Sequence, residues 1–173
     1  IPEANTHEAL LCPGIDVFTA TSITPIIDWT YGRAELAHIT PGQPSEPPHT
    51  NRHLDMNQVA GQHEAKFAAE VAAAGGHNLL LIGPRGSGKS MIAERIPTLL
   101  PPLTQAEQVE STVVHAIAGT TIDHVITTAP YIAPHHSISA AALLGGGSGT
   151  PKPGAVSLAH NGVLFLDEVS EIP

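Results

Sequence analysis

Cysteine is nearly absent from this chain: Cys12 stands alone among 173 residues. An intrachain disulfide and a thiolate metal cluster are therefore excluded, and a reducing, cytoplasmic setting suits the composition. Aromatic residues make up only 3%, so the core must be built mainly from Leu, Ile, Val and Ala, within a hydrophobic content of 42%. Basic residues are also few. Seven face 16 acids, for a formal net charge of -9, which excludes a chain-wide basic nucleic-acid surface. A local one stays open, because Arg52, Lys66, Arg85, Lys89 and Arg95 cluster in the middle of the chain. No apolar run is long enough to cross a bilayer, and no charged-then-apolar leader opens the chain. No membrane partner is expected. The length allows one ordinary domain or parts of two.

What is present begins with short apolar runs. Ala9–Gly32 is broken by Pro13, Gly14 and Pro25. Ile15 to Phe18 reads as a strand, and Thr24 to Thr30 as a helix with Thr24 as cap and Pro25 in the first helical position. This piece is too small to bury a core of its own. Ile39–His53 holds four prolines and no apolar period, which predicts a linker and a domain boundary near residues 40–54. Gln62 to Ala74 is rich in helix formers. Ala65, Ala68, Ala69 and Ala72 give it a small-residue face, which Phe67 and Val71 are expected to widen. Gly75–Gly76 ends it. Asn78 to Gly83 is continuously apolar, as in a strand buried on both faces of a parallel sheet. A helix leaves the glycine loop, stopped by Pro97 and Pro101–Pro102. Thr104–Gly119 is a second helix, with a capping box of Thr104 and Glu107. The pattern weakens from Thr120 to Gly154. Gly162–Glu168 is again an apolar strand, ending on two acids and predicted to lie parallel to residues 78–83. Strand, helix, further elements, strand is the grammar of an α/β nucleotide-binding fold with a parallel sheet.

Gly83, Pro84, Arg85, Gly86, Ser87, Gly88, Lys89 and Ser90 fit the pattern G-x-x-x-x-G-K-S/T. Each position has a physical reason. Glycines let backbone N–H groups turn inward into an anion nest. A helix starting near Gly88 turns its positive end to the phosphates. Lys89 is expected to reach the β and γ phosphates of ATP, and Ser90 to bind Mg²⁺ through its hydroxyl. The apolar strand 162–166 delivers Asp167 to the Mg²⁺ shell. Glu168, next along, is placed to polarise the attacking water. Lys89 and Glu168 are thus the expected catalytic residues, with Ser90 and Asp167 at the metal. The acid pair favours water over a small-molecule acceptor. Glu171 reads as ordinary surface. None of Arg33, Arg52, Arg85 or Arg95 is placed by sequence as an arginine finger. The interval from Lys89 to Asp167 is longer than one helix and one strand need, so something is inserted in it.

Residues 54–173 resemble the AAA+ module of the magnesium-chelatase-like ATPases, specifically the ComM/YifB family. The likeness is carried by "DMNQVAGQHEAKFAAEVAAAGGHNLLLIGPRGSGKSMIAERIPTLLPPLT", by "HAIAG", by "APHHSISAAALLGGG" and by "PKPGAVSLAHNGVLFLDE". "IPEANTHEALLCPGIDVF" resembles the end of the Lon-protease-like domain that precedes the ATPase there. The resemblance implies an end of a Lon-like domain over residues 1–40, a linker over 41–54, and the N-terminal part of a three-layer AAA+ core over 55–173. The sensor residues and lid would lie outside the sequence. It further implies a ring, a hexamer with ATP between subunits. ComM-like members are similar to DNA helicases of branch migration, so DNA is a possible partner. Asp55, Val59 and Gly61–Gln62 match the stretch near the adenine. Tyr131 to Leu158 would hold the insertion that can line the pore, with Lys152 its only lysine or arginine. Arg85 departs from the family's usual second proline, and Ser90 from its common threonine; the hydroxyl is kept.

Two other functions compete with a DNA-directed motor: a metal-insertion motor of chelatase type, and a nucleotide-gated scaffold without turnover. The partial Lon-like arm favours the first, and the Asp167–Glu168 pair disfavours the last. Eleven histidines show no His-Glu-x-x-His pattern. His49 and His53 sit in the proline-rich stretch. His135 and His136 are read as loop residues before a short helix Ser139–Leu144, because neighbours rarely point the same way and no third ligand suggests itself.

Overall fold

The computed structural model describes residues 1–9, 14–39, 54–120, 125–147 and 149–171. Most of the expected linker, 40–53, including His49, Arg52 and His53, lies outside the described residues, as does Cys12. The described residues fall into two compact units, 1–39 with Val125, and 54–120 with 126–171.

In the first unit a 3-10 turn (Glu3–Asn5) runs into α1 (Thr6–Ala9), then β1 (Val17–Thr19), α2 (Ile23–Thr30) and β2 (Ala37–Ile39). β1 and β2 pair antiparallel, Val17 opposite Ile39. The N-terminal amine donates to the Phe18 carbonyl at 2.8 Å. Val17 and Thr19 are buried, but α2 buries nothing, and Ile23, Ile27, Trp29 and Tyr31 are exposed. A unit this small leaves most of its apolar surface wet. The cap of α2 is Ser22, not Thr24. Pro25 therefore sits third in the helix, still within the first turn, where its missing N–H breaks no helical bond.

The second unit opens with a 3-10 turn, Met56–Gln58, closed by a capping box between Asp55 and Gln58. Next come α3 (His63–Gly75), α4 (Lys89–Ala93), a 3-10 turn (Ile96–Leu99) and α5 (Gln105–Ala118). They are followed by β3 (Tyr131–Ile132), α6 (Ala140–Leu144), β4 (Gly145–Gly146), β5 (Lys152–Pro153), α7 (Ala155–Leu158), β6 (Val163–Leu164) and a last 3-10 turn (Val169–Glu171). Met56, Val59, Ala69 and Ile92 form the core, ringed by Ala65, Leu79, Leu81, Ile96 and Leu99. The small-residue face of α3 turns inward, with Ala69 and Ala72 buried. Phe67 and Val71 do not widen it; both are exposed. At 3.6 residues per turn they fall outside the stripe through Ala65, Ala69 and Ala72. Gly76 closes the helix in the left-handed region, at φ 61°.

Residues 78–83 are not a ladder strand. Among the described residues no segment pairs with them. Leu79 and Leu81 pack on the core, whereas Leu80 is 73% and Ile82 87% exposed. The run is extended and alternates, with one face covered. The parallel partner of β6 is instead β3, with Tyr131 opposite Val163 and Ile132 opposite Leu164. The expected pairing of 78–83 with 162–167 is thus corrected: β3, from the weakly patterned interval, takes that edge. The fold is mixed α/β with a parallel pair, and a small antiparallel hairpin, β4 with β5, lies in the interval.

α5 anchors the approach to the acid pair. Its capping box forms: the Thr104 N–H donates to Glu107 Oε2 at 2.7 Å, and the Glu107 N–H to Thr104 Oγ1 at 3.4 Å. These bonds from Thr104 hold the Glu107 carboxyl below its usual range. Two polar residues of α5 are buried, and both are bonded. Ser111 Oγ donates to the His160 carbonyl, and Thr112 Oγ1 donates to Gln108 and accepts from the Ile126 N–H. Asn161, at φ 57°, donates to Glu110 Oε2, the largest cause of a lowered Glu110 carboxyl, with His160 beside it. His115 Nε2 meets the Leu158 carbonyl at 2.9 Å. At Gly162 the chain passes so close to Pro130 that a Cβ would run into its carbonyl. The Val163 N–H then donates to Pro130 and that of Phe165 to Ile132, at 2.8 and 2.9 Å.

Candidate nucleotide and magnesium site

The glycine loop bridges the core and α4. Gly86 and Gly88 take φ of +77° and +85°, which only glycine adopts without strain. A Cβ at Gly83 would stand 2.9 Å from Ser87 Oγ. Gln62 Nε2 ties the loop down by donating to the Ser87 carbonyl at 2.7 Å. Lys89 Nζ lies across the loop, donating to the carbonyls of Gly83 (2.8 Å) and Pro84 (3.0 Å). Its charge thus sits over the backbone. Ser87 Oγ is buried without a hydrogen-bond partner. An unpartnered buried hydroxyl costs stability, so a polar group entering the loop would be favoured. Glycines that admit close approach, an orphan hydroxyl and a half-buried ammonium fit a phosphate chain.

The second half of the site arrives from β6. Ser90 Oγ donates to Asp167 Oδ2 at 3.3 Å, although 77 positions separate them. The two expected Mg²⁺ ligands are side by side, as a shared cation requires. Asp167 Oδ1 also accepts from the Glu168 N–H at 3.0 Å. Tyr131 lies in the same electrostatic neighbourhood. Burial first, then the charges of Glu94 and Asp167, push its phenol up to about 12, so it stays neutral.

Glu168 has a left-handed backbone, φ 48°, unusual for a residue with a Cβ. Its carboxylate is gripped from two sides. Arg85 NH2 lies 3.5 Å from Oε1, and His136 Nδ1 lies 3.2 Å from Oε2. Contrary to the sequence expectation, His135 and His136 do point the same way, with ring centroids 4.0 Å apart. Ligand atoms of His136, Glu168 and Glu171 lie within 4.8 Å of one another, a group that does not include His135. The signal missed in the sequence was the short strand β3, hidden between prolines. Arg95 proves to be an anchor for the 55–58 turn, donating from Nε to the Asp55 carbonyl and from NH2 to Gln58 Oε1. Arg33 lies 3.9 Å from Asp28 in the other unit.

Residues 55–173 match the family described as magnesium chelatase, subunit ChlI, a family of AAA+ type whose members use a nucleotide and Mg²⁺. The chain is 47% identical over 174 aligned residues to an uncharacterised protein of Mycobacterium tuberculosis. It is 40% identical over 174 residues to the competence protein ComM of Haemophilus influenzae. Each alignment takes in 99% of this chain and 34% of the relative. The YifB protein of Escherichia coli is 49% identical over 118 residues, 68% of this chain and 23% of that protein. The chain therefore spans about a third of the length of the longer-matching relatives. No helix among the described residues is long and apolar enough to cross a membrane. The matching motifs and the identities place this chain in the magnesium-chelatase-like ComM/YifB family.

Proposed function

We propose that this chain binds and hydrolyses Mg²⁺-ATP as part of a DNA-directed, hexameric ring motor in the cytoplasm. The observation that carries the reading is the meeting of Ser90 with Asp167 at 3.3 Å, beside a loop whose lysine and orphan serine are ready for phosphate. Gly83 to Ser90 hold the phosphates through backbone N–H groups. Lys89 moves from its loop carbonyls to the β and γ oxygens. Ser90 and Asp167 hold Mg²⁺, which neutralises charge developing on the phosphates. Glu168 polarises water.

DNA is favoured over metal insertion as the motor's target because the likeness to the competence protein covers 99% of the chain. It therefore takes in residues before 55, where the chelatase match starts. The same two facts, with the separate unit over 1–39, support reading residues 1–40 as the end of a Lon-like domain, 41–54 as a linker and 55–173 as the front of the ATPase. The test is ATP hydrolysis by the full-length protein with and without branched DNA. Stimulation is expected; hydrolysis indifferent to DNA would remove DNA as the target, and none at all would remove the motor.

A further inference from the structure

Gln62 stands where a long side chain is unusual. Its backbone is left-handed, φ 54° and ψ 36°, directly after the left-handed Gly61 at φ 65°. Glycine and asparagine take that region more readily. Gln62 is the N-cap of α3, yet its side chain caps nothing there. The amide goes elsewhere: Nε2 donates to the Ser87 carbonyl at 2.7 Å, 25 positions away in the glycine loop. A Cβ at Gly88, the next residue, would stand 3.7 Å from the same nitrogen. The base of this bond is firm. Val59 is 1% exposed and part of the core, and Arg95 Nε holds the Asp55 carbonyl at 3.1 Å.

What the bond fixes is a peptide plane. In a trans peptide the C=O of one residue and the N–H of the next point in opposite directions. With the Ser87 carbonyl held by Gln62, the Gly88 N–H is turned away from Gln62. The loop's own backbone does little to keep it so. Gly88, at φ 85°, accepts either sign of φ, so a flip of this peptide is cheap. Lys89 ties the carbonyls of Gly83 and Pro84 rather than that of Ser87. A flipped peptide would turn the Ser87 carbonyl where the N–H had been, and an acceptor facing a phosphate repels it.

We propose that Gln62 is a positioning residue for phosphate: it holds the Ser87–Gly88 peptide so that the Gly88 N–H donates to the phosphate chain. The inference rests on reading residues 83–90 as the phosphate loop. Unlike Lys89, which leaves its carbonyls for the phosphates, Gln62 keeps its bond when the nucleotide enters.

The experiment compares Gln62→Met and Gln62→Asn in the full-length protein. Met keeps the length and loses the donor. Asn takes the left-handed backbone more readily than Gln but is one methylene too short for the bond. Affinities for ATP, inorganic tripolyphosphate and adenosine are measured by competition against a fluorescent nucleotide at saturating Mg²⁺. Both variants are expected to bind ATP and tripolyphosphate about 10-fold more weakly, the lower range for a hydrogen bond to a charged group. Adenosine should bind as it does to the parent, which a general loss of structure would not allow. Parental ATP affinity in Gln62→Met would overturn the proposal. So would parental affinity in Gln62→Asn alone, which would assign the effect to the backbone. Adenosine lost in step with ATP would also overturn it, making Gln62 an adenine contact or a support of the fold. Unchanged ATP affinity in Lys89→Ala would sink the phosphate-loop reading itself, a separate outcome from a weakened Lys89→Ala beside a parental Gln62→Met.

Discussion

Residues 78–83 and 162–167 are two apolar runs of the same kind, each ending at the site, and they fold differently. The second enters a parallel pair, with Val163 and Leu164 opposite Tyr131 and Ile132. The first has no ladder partner among the described residues, and it exposes Leu80 and Ile82 while Leu79 and Leu81 pack inward. An apolar run says that a face is suited to cover. It does not say that a neighbour is present to cover it, because backbone pairing depends on a second segment outside the window being read. The site nevertheless closes, since Ser90 is carried by α4 on the Met56–Ile92 core rather than by a shared ladder.

The largest expected effect separates the chemistry of the two ends. Glu168→Gln in the full-length protein should hydrolyse ATP about 10²–10⁴-fold more slowly in single turnover, while ATP affinity holds. Lost affinity would place Glu168 in binding instead. In the core beneath the first run, Ile92 is 1% exposed, and Ile92→Ala should cost about 2–5 kcal/mol in denaturant unfolding. Leu80→Ala and Ile82→Ala should each stay within about 0.5 kcal/mol in this chain. Losses as large as that of Ile92→Ala would mean that the outer face is covered in solution. Lys89→Ala removes the ammonium that lies across the loop, and a charge-assisted phosphate bond is worth about 1.5–3 kcal/mol. Calorimetric ATP affinity should fall accordingly, and an unchanged value would take Lys89 out of the site. Thr104→Ala removes a cap that contributes about 1 kcal/mol. Because Thr104 lowers the Glu107 carboxyl from 4.5, the share of the cap's support that Thr104 Oγ1 gives to the carboxylate is present above that pH and is lost as pH falls through the lowered value. Acid titration should therefore narrow the gap between parent and Thr104→Ala, leaving the share from the Glu107 N–H bond to Thr104 Oγ1.

Local chemistry was legible where residue type and spacing act alone. The capping box at Thr104 and Glu107, the left-handed stop at Gly76, and the glycine loop feeding α4 all follow from backbone needs within a few residues. What depends on distant partners was not. The sequence reading places Phe67 and Val71 inside, yet the core takes up the alanine stripe of α3 and leaves both exposed. It left Tyr131–Ile132 unrecognised, since two residues between prolines carry no period, and with that strand the His136–Glu168 contact was lost from view. Ser22 displaced Thr24 as a cap because either residue can serve and the entry of the chain decides.

The central claim is that the glycine loop and the acid pair make one Mg²⁺-nucleotide site although their apolar runs do not share a ladder. A double-mutant cycle on Ser90→Ala and Asp167→Asn, reading Mg²⁺-dependent ATP affinity in the full-length protein, tests it directly. Two ligands of one cation should be non-additive, with a coupling of about 0.5–3 kcal/mol. Losses that add to within about 0.3 kcal/mol would mean that the two residues act in separate places.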